Sequence, residues 1–414
     1  MVSATEARSA VEAVWRIESA RIVGALARYT GDFSLAEDLA QEALAEALVS
    51  WSVDGVPNQP TGWLLTVGRR RAIDAFRRRS GRDERYAVLA RDLDESTPGA
   101  DALFDPDVID DDVLALMFIA CHPVLSKESR LALTLRVVGG LTTDEIAQAL
   151  LVPVPTVQAR ITRAKKTLAA AQIPFGVPDA AEIPERLSSV LQVIYLIFTE
   201  GSYASAGDAW MRSELASEAL RLARVLVQLR PDPEVFGLLA LMELTAARFP
   251  ARLDASGSPV LLEDQDRGLW DQAAIRRGRA ALTRAVSPAG GLRAYGLQAS
   301  IAECHAVAAS VGETDWSRIV ILYEALGRLA PSPIIELNRA VAVAMDSGPA
   351  DGLAVVASIS DRGELAGSHL LPAVRGELLL RMGRREEANA ALREALGLCR
   401  NAAERAALER KLVN

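Results

Sequence analysis

Apolar residues recur at i, i+3 and i+4 spacing through most of this 414-residue chain, in Val11 to Tyr29, in Leu35 to Val49, and in consecutive amphipathic stretches from Pro184 onward. That period puts an apolar stripe on one face of an α-helix, so the chain is expected to fold as helices packed stripe against stripe. Composition agrees. Half the residues are apolar, only 5% are aromatic, and Ala, Leu and Arg dominate, which favours helix over sheet. The expected class is all-α.

The length exceeds what one core supports, so seams are expected. The stretch Trp51 to Pro60 contains Gly55, Pro57, Asn58 and Pro60 and reads as a loop, with Thr61 capping a helix from Gly62 to Arg79. Residues 81–111 mix charge, Gly and Pro without sustained period, as a linker does. A second helical unit spans 112–172, with a break at His122–Pro123 and a turn at Gly139–Gly140. Three prolines between Pro174 and Pro184 mark the next seam. Residues 1–80, 112–172 and 184–414 are therefore the expected domains. In the third, Leu229-Arg-Pro-Asp-Pro-Glu-Val235 is echoed 100 residues later by Leu329-Ala-Pro-Ser-Pro-Ile-Ile335, about three periods of a 34-residue helical repeat. The irregular period makes "TPR-like" the apt description.

A net charge of −8 does not by itself suggest a nucleic-acid partner, but the charge is segregated. Arg69 to Arg91 holds nine arginines against three acids, Arg160 to Lys166 holds four basic residues and no acid, and Asp92 to Asp112 holds nine acids and no base. Local basic surfaces, rather than the total, are what phosphates meet. No apolar run has the length of a membrane span and no secretion signal opens the chain. Cys121, Cys304 and Cys399 are an odd, widely spaced set that fits a reducing compartment. A cytoplasmic protein with no membrane partner is expected.

Leu141-Thr-Thr-Asp-Glu-Ile-Ala-Gln-Ala-Leu150, followed by Val152-Pro-Val-Pro-Thr-Val-Gln-Ala-Arg-Ile-Thr-Arg-Ala-Lys-Lys-Thr-Leu168, has the layout of a helix-turn-helix. Ile146, Ala147 and Leu150 supply the inner face of the first helix, Thr142 or Thr143 its cap, and Val157, Ile161, Ala164 and Leu168 the inner face of the second. Thr156, Gln158, Ala159, Arg160, Thr162, Arg163, Lys165 and Lys166 are left outside. Gln158 and Arg160 suit base edges in the major groove, whereas Arg163, Lys165 and Lys166 suit phosphates.

The first domain narrows the choice. Ala36-Glu-Asp-Leu-Ala-Gln-Glu-Ala43, then Pro60-Thr-Gly-Trp-Leu-Leu-Thr-Val-Gly-Arg-Arg-Arg-Ala-Ile-Asp-Ala-Phe-Arg-Arg-Arg79, resembles regions 2.1 to 2.4 of the extracytoplasmic-function (ECF) sigma factors of the sigma-70 family. The helix-turn-helix resembles their region 4.2. Phe118-Ile-Ala-Cys-His-Pro-Val-Leu125, Gly139-Gly-Leu-Thr-Thr143, Tyr195-Leu-Ile-Phe-Thr-Glu-Gly201, Leu261-Leu-Glu-Asp-Gln-Asp-Arg267 and Ala330-Pro-Ser-Pro333 with Asn338-Arg-Ala-Val-Ala342 look like the group with a C-terminal TPR-like extension.

The resemblance implies a sigma-2 domain at 1–80, an acidic linker at 81–111, a sigma-4 domain at 112–172 and the extension at 184–414. It implies core RNA polymerase (β′ clamp helices and β flap) and promoter DNA as partners, with a regulatory protein or ligand on the extension. Asp38, Gln41 and Glu42 match the family's polymerase-binding patch, and their i, i+3, i+4 spacing gives them one helix face. Asn58 and Gln59 lie in the family's loop for a flipped −10 base, with Arg69, Arg70, Arg71, Arg77, Arg78 and Arg79 along the strand behind it. At −35 the residues are Thr142, Thr156, Gln158, Ala159, Arg160, Thr162, Arg163, Lys165 and Lys166. Trp63 is expected in the domain core. The turn before the second helix carries Pro153 and Pro155 where the wider family places Ser and Gly, which a helix start tolerates.

No enzymatic chemistry is expected. Cys121–His122 and Cys304–His305 are adjacent residues that diverge by about 100° on a helix, no further ligand stands at metal-site spacing, and there is no phosphate loop or nucleophile elbow. The acids of Leu262-Glu-Asp-Gln-Asp-Arg267 read as caps and interhelix pairs. No cofactor, metal or catalytic residue is expected. Two other readings fit the motifs less well: a helix-turn-helix activator with a TPR-like sensor, and a helical-repeat scaffold with incidental basic islands.

Overall fold

A computed structural model describes residues 4–80, 106–150, 152–202, 211–254, 260, 262–287, 290–399 and 402–412. Among them every extended element is a helix, and the β-bridge of Ser287 with Gly291 is isolated. The chain divides into two compact units, 1–196 and 197–414.

The first unit starts with α1 (Ala4–Thr30), α2 (Phe33–Asp54) and α3 (Pro60–Ser80), each packed on the other two. Asp32 caps α2 by accepting the Leu35 N–H at 3.0 Å. Helix α3 starts at Pro60, two residues before the position expected from a Thr61 cap, and the Gln59 carbonyl accepts the Trp63 N–H. The reason is that proline loses nothing at the first helical position, where its missing N–H would lack an intrahelical partner. Trp63 meets the buried Trp51 edge to face at 5.7 Å.

Helix α4 (Pro106–Ala120) reaches into the stretch read as linker, again opening on a proline. The acidic stretch from Asp92 to Asp105 lies outside the described residues. From Asp112 to Cys121 every residue of α4 and its end is buried, which marks an interior helix rather than an amphipathic surface one. It packs on α1 and on α5 (Lys127–Val137). The stretches 1–80 and 112–172, expected as separate domains, thus share one compact unit. Gly24 permits the approach of α1 and α4, because a Cβ there would sit 3.0 Å from Asp112 Cβ and its carbonyl oxygen. Then follow α6 (Thr143–Leu150) and α7 (Val154–Ala170), with Gly140 at φ +69° in the turn before them.

Helix α8 (Ile183–Ser202) crosses the division between the units. The second unit continues with α9 (Ser213–Leu229), α10 (Pro233–Ala246), α11 (Gln272–Arg284), α12 (Ala294–Val307), α13 (Trp316–Leu329), α14 (Pro333–Asp346), α15 (Pro349–Asp361), α16 (Leu370–Arg381), α17 (Arg385–Leu398) and α18 (Ala402–Arg410). Most packing is between helices adjacent in the chain, the pattern of a quasi-one-dimensional array. The 100-residue echo is one turn used twice. Arg230 and Ala330 each send their N–H back to a leucine carbonyl, Leu226 at 2.7 Å and Leu326 at 2.8 Å, while Asp232 and Ser332 cap the following helix. Proline then opens α10 and α14 at the first position.

Candidate nucleic-acid interface and its acidic neighbour

The α6–α7 pair is built by local rules that its residues state plainly. Thr142 Oγ1 accepts the Glu145 N–H at 3.2 Å, and the Glu145 carboxylate accepts the Thr142 N–H at 2.7 Å and its hydroxyl at 2.9 Å. This is a reciprocal capping box. On α7, Val157, Ile161, Ala164 and Leu168 are buried, with Ile146 and Ala147 of α6. Thr142, expected near DNA, is engaged in the cap.

The outer face of α7 carries exposed Gln158, Ala159, Thr162, Arg163 and Lys166, with Thr156 and Arg160 half-buried. A groove of about 490 Å³ runs beside it, lined by Ser126, Glu128, Pro155, Thr156, Ala159, Arg160 and Arg163. Its two arginines face one acid, Glu128, held below the usual carboxylate range by its own backbone N–H and the Ser126 hydroxyl.

Lys165 departs from the outward position expected for it. It is half-buried and turned onto α2, where its ammonium donates to Glu37 and, at 3.0 Å, to Asp38. Burial lowers the Lys165 pKa, but the charge and hydrogen bonds of Glu37 and Asp38 outweigh it and leave the group above its usual value. Arg136 of α5 reaches the other oxygen of Glu37 at 3.6 Å. Glu37 itself is buried, so α7, α5 and α2 meet on one shielded carboxylate. Glu37 and Arg136 were missed from sequence. The available signal was a carboxylate at position 37 beside Ala36 and Ala40, in the buried line of α2.

On α2 the candidate acids divide. Asp38 and Glu42 keep 66% and 50% of their side-chain surface in solvent. Gln41 lies four residues from Glu37 and follows it inward; its amide nitrogen is buried without a hydrogen-bond partner. Continuing the Asp38–Glu42 stripe, Ala45, Val49 and Val53 are exposed, with Leu48 alongside.

The basic face of α3 is brought against these same acids. Arg71 bonds Glu42 at 3.1 Å and Glu46 at 2.8 Å, and Arg70 also holds Glu46. The hydrogen bonds from Arg71 and then Arg70 hold the Glu46 carboxyl below its usual range. Arg69 stacks on Tyr29, 4.7 Å from the ring centre. Arg77 is exposed, as are Asn58 and Gln59 in the preceding loop. The side chains of Arg78 and Arg79 lie outside the described residues.

The cysteine–histidine pairs have local partners. Cys121 Sγ lies 3.3 Å from Thr134 Oγ1, and burial pushes its thiol up to about 12. His122 Nδ1 accepts the Val124 N–H at 3.0 Å, and His305 packs edge to face on Trp316. Among the described residues no cluster of three or more His, Cys, Asp or Glu could hold a metal ion, and no helix is long and apolar enough to cross a membrane.

Residues 16–82 match Sigma-70 region 2, residues 115–168 match Sigma-70, region 4, and residues 186–286 match a family of unknown function, DUF6596. An uncharacterized protein of Rhizobium meliloti (strain 1021) is 42% identical over 94% of this chain and 92% of its own length. The ECF RNA polymerase sigma factor SigK of Mycobacterium ulcerans is 30% identical over 36% of this chain and 78% of its own length. The probable ECF RNA polymerase sigma factor SigI of Mycobacterium tuberculosis is 29% identical over 41% of this chain and 58% of its own length. No solved structure matches significantly. Two sigma regions in order, on the helices that carry the acidic stripe and the helix-turn-helix, with a further helical region behind them, place the chain in the ECF sigma factor family, whose members direct transcription initiation.

Proposed function

We propose that α2 docks on core RNA polymerase through Asp38 and Glu42. The observation that carries this reading is the outer stripe of α2, where two solvated carboxylates run into exposed Val49 and Val53 at 68% and 70% of full exposure. Acids steer a basic partner and the adjoining apolar surface holds it. Gln41 supports the patch from within.

At the promoter, Gln158 and Arg160 read −35 base edges from the major groove, while Arg163, Lys165 and Lys166 hold phosphates. Thr142 fixes the entry angle of α6, and Thr156, Ala159 and Thr162 complete the contact face. Asn58 and Gln59 receive the −10 base, with Arg69, Arg70, Arg71, Arg77 and Arg78 following the strand. The protein acts by recruitment and holds no reacting group of its own. The extension is a TPR-like helical array that controls the sigma regions in cis or through a regulatory partner, since a tether gives it a high effective concentration.

Titrating the labelled full chain with purified core polymerase tests the docking face. Asp38→Ala/Glu42→Ala is expected to weaken binding about tenfold, or about 1.4 kcal/mol. Unchanged affinity in the folded double variant would remove the contact from this face.

A further inference from the structure

We infer that the groove beside the α13–α14 turn is a binding site for a free α-amino acid with an apolar side chain. The site rests on residues of the second unit alone, and only its use as a signal rests on the control role proposed above.

At about 600 Å³ the groove has the size of a small-ligand pocket. Tyr323, Glu324, Gly327 and Arg328 of α13 form one wall, Ile335, Glu336 and Arg339 of α14 another, and Arg362 and Glu364 after α15 complete it. Its place is the second copy of the turn that this unit uses twice. At the equivalent positions 100 residues earlier, Gly327, Glu336 and Arg339 are Val227, Phe236 and Leu239. There Phe236 is buried, with the Arg284 guanidinium 3.9 Å from its ring centre. Here a Cβ on Gly327 would meet no atom within 4 Å. The first copy commits these positions to packing, whereas the second leaves them open and charged.

Three arginines and three glutamates line the groove, a balance that favours neither a dianion nor a polycation. One set is closed internally, since Arg362 donates to Glu336 at 2.5 Å and to Glu364 at 3.0 Å. The other is open: among the described residues Arg328, Arg339 and Glu324 form no ion pair. Glu324 and Arg328 have the i, i+4 spacing at which opposite charges on a helix ordinarily meet, yet they stay apart. Two unpaired cations beside one unpaired carboxylate match a carboxylate with an ammonium next to it, and an α-amino acid carries both on one carbon. A peptide end carries only one of them. Tyr323, Ile335, Pro331 and Pro333 give the side chain apolar surface, and the N-terminal turn of α14 adds a positive dipole end for the carboxylate.

Calorimetric titration of the full chain with L-phenylalanine and with L-leucine tests the site. Saturable binding of at least one is expected. The N-acetyl derivative of that amino acid keeps the carboxylate alone and its amide keeps the ammonium alone, so each should bind at least about tenfold more weakly. Arg328→Gln/Arg339→Gln should weaken binding by about tenfold or more, and Glu324→Gln should shrink the preference over the N-acetyl derivative to below about threefold. Gly327→Phe keeps every charge and fills the groove, so it should abolish binding.

Failure of both amino acids to bind saturably overturns the proposal, as does equal affinity for the N-acetyl derivative or the amide. Binding unchanged in the folded Arg328→Gln/Arg339→Gln variant overturns it too. Should that variant not fold, Gly327→Phe decides, its added side chain starting in open space, and undiminished binding there overturns the site. All these readings use the free chain without polymerase, so an amino acid that binds here and leaves initiation unchanged would fault the control role alone.

Discussion

Two arginine clusters, one in each unit, serve opposite ends. In the second, guanidinium groups brace the interior. Arg224 of α9 and Arg277 of α11 both clamp Glu243 of α10, whose carboxylate is buried, at 2.6 and 3.0 Å. Arg267 ties down the His305 and Ala308 carbonyls at 2.6 and 2.7 Å. In the first unit, Arg70 and Arg71 of α3 pair with Glu42 and Glu46 at the surface, where both partners keep a quarter or more of their side-chain area in water. A brace around a buried carboxylate has no substitute when broken, whereas an exposed pair exchanges readily for solvent or for a partner's charge. The contrast separates charges that maintain a fold from charges available for recognition.

The sharpest way to break the comparison is Glu243→Ala. Removing a buried carboxylate shared by two arginines should cost about 3 kcal/mol, read as a lower denaturation midpoint, with both arginines' half-exposed heads limiting the loss. A loss below about 1 kcal/mol would class Glu243 with the surface pairs.

Acid pH offers the next test. Burial, reinforced by Arg248 and Arg267, lowers the His305 pKa to about 4 from the usual 6.5. Between those values the unfolded chain binds a proton that the folded one refuses, so stability present above about 6.5 is lost as pH falls toward about 4. Urea midpoints measured across that window should fall, and His305→Gln should flatten the slope. An unchanged slope would exclude His305 as its source.

Smaller still is the capping box. Thr142→Ala should cost about 1 kcal/mol, measured by thermal melting, and no loss would mean that Glu145 caps α6 unaided. Least of all should be the stability change in Arg70→Ala/Arg71→Ala, below about 1 kcal/mol per exposed pair. Promoter opening, followed by permanganate footprinting, should nonetheless drop strongly in that variant. A large stability loss with normal opening would reverse the roles assigned to the two clusters.

Much of the recognition element was legible because it is local. The burial of Val157, Ile161, Ala164 and Leu168 follows from their spacing, and the Thr142–Glu145 box from residue types three apart. The all-α class and the turn repeated at Leu229 and Leu329 follow in the same way. Periodicity names a buried face without naming what buries it. Thus Lys165, outward by helical register on an isolated hairpin, is drawn inward by a carboxylate 128 positions earlier. The burial of α4 on all sides was likewise invisible, since it arises from α1 and α5 closing over it. The starts of α3 and α4 were misplaced or unread because their proline openings were weighed as breakers.

The most direct test of the central claim is run-off transcription by purified core polymerase with this protein over a pool of genomic fragments from its source. Specific initiation that falls on Gln158→Ala/Arg160→Ala and on Asp38→Ala/Glu42→Ala is the predicted result. Folded wild-type protein that directs no specific initiation would contradict it.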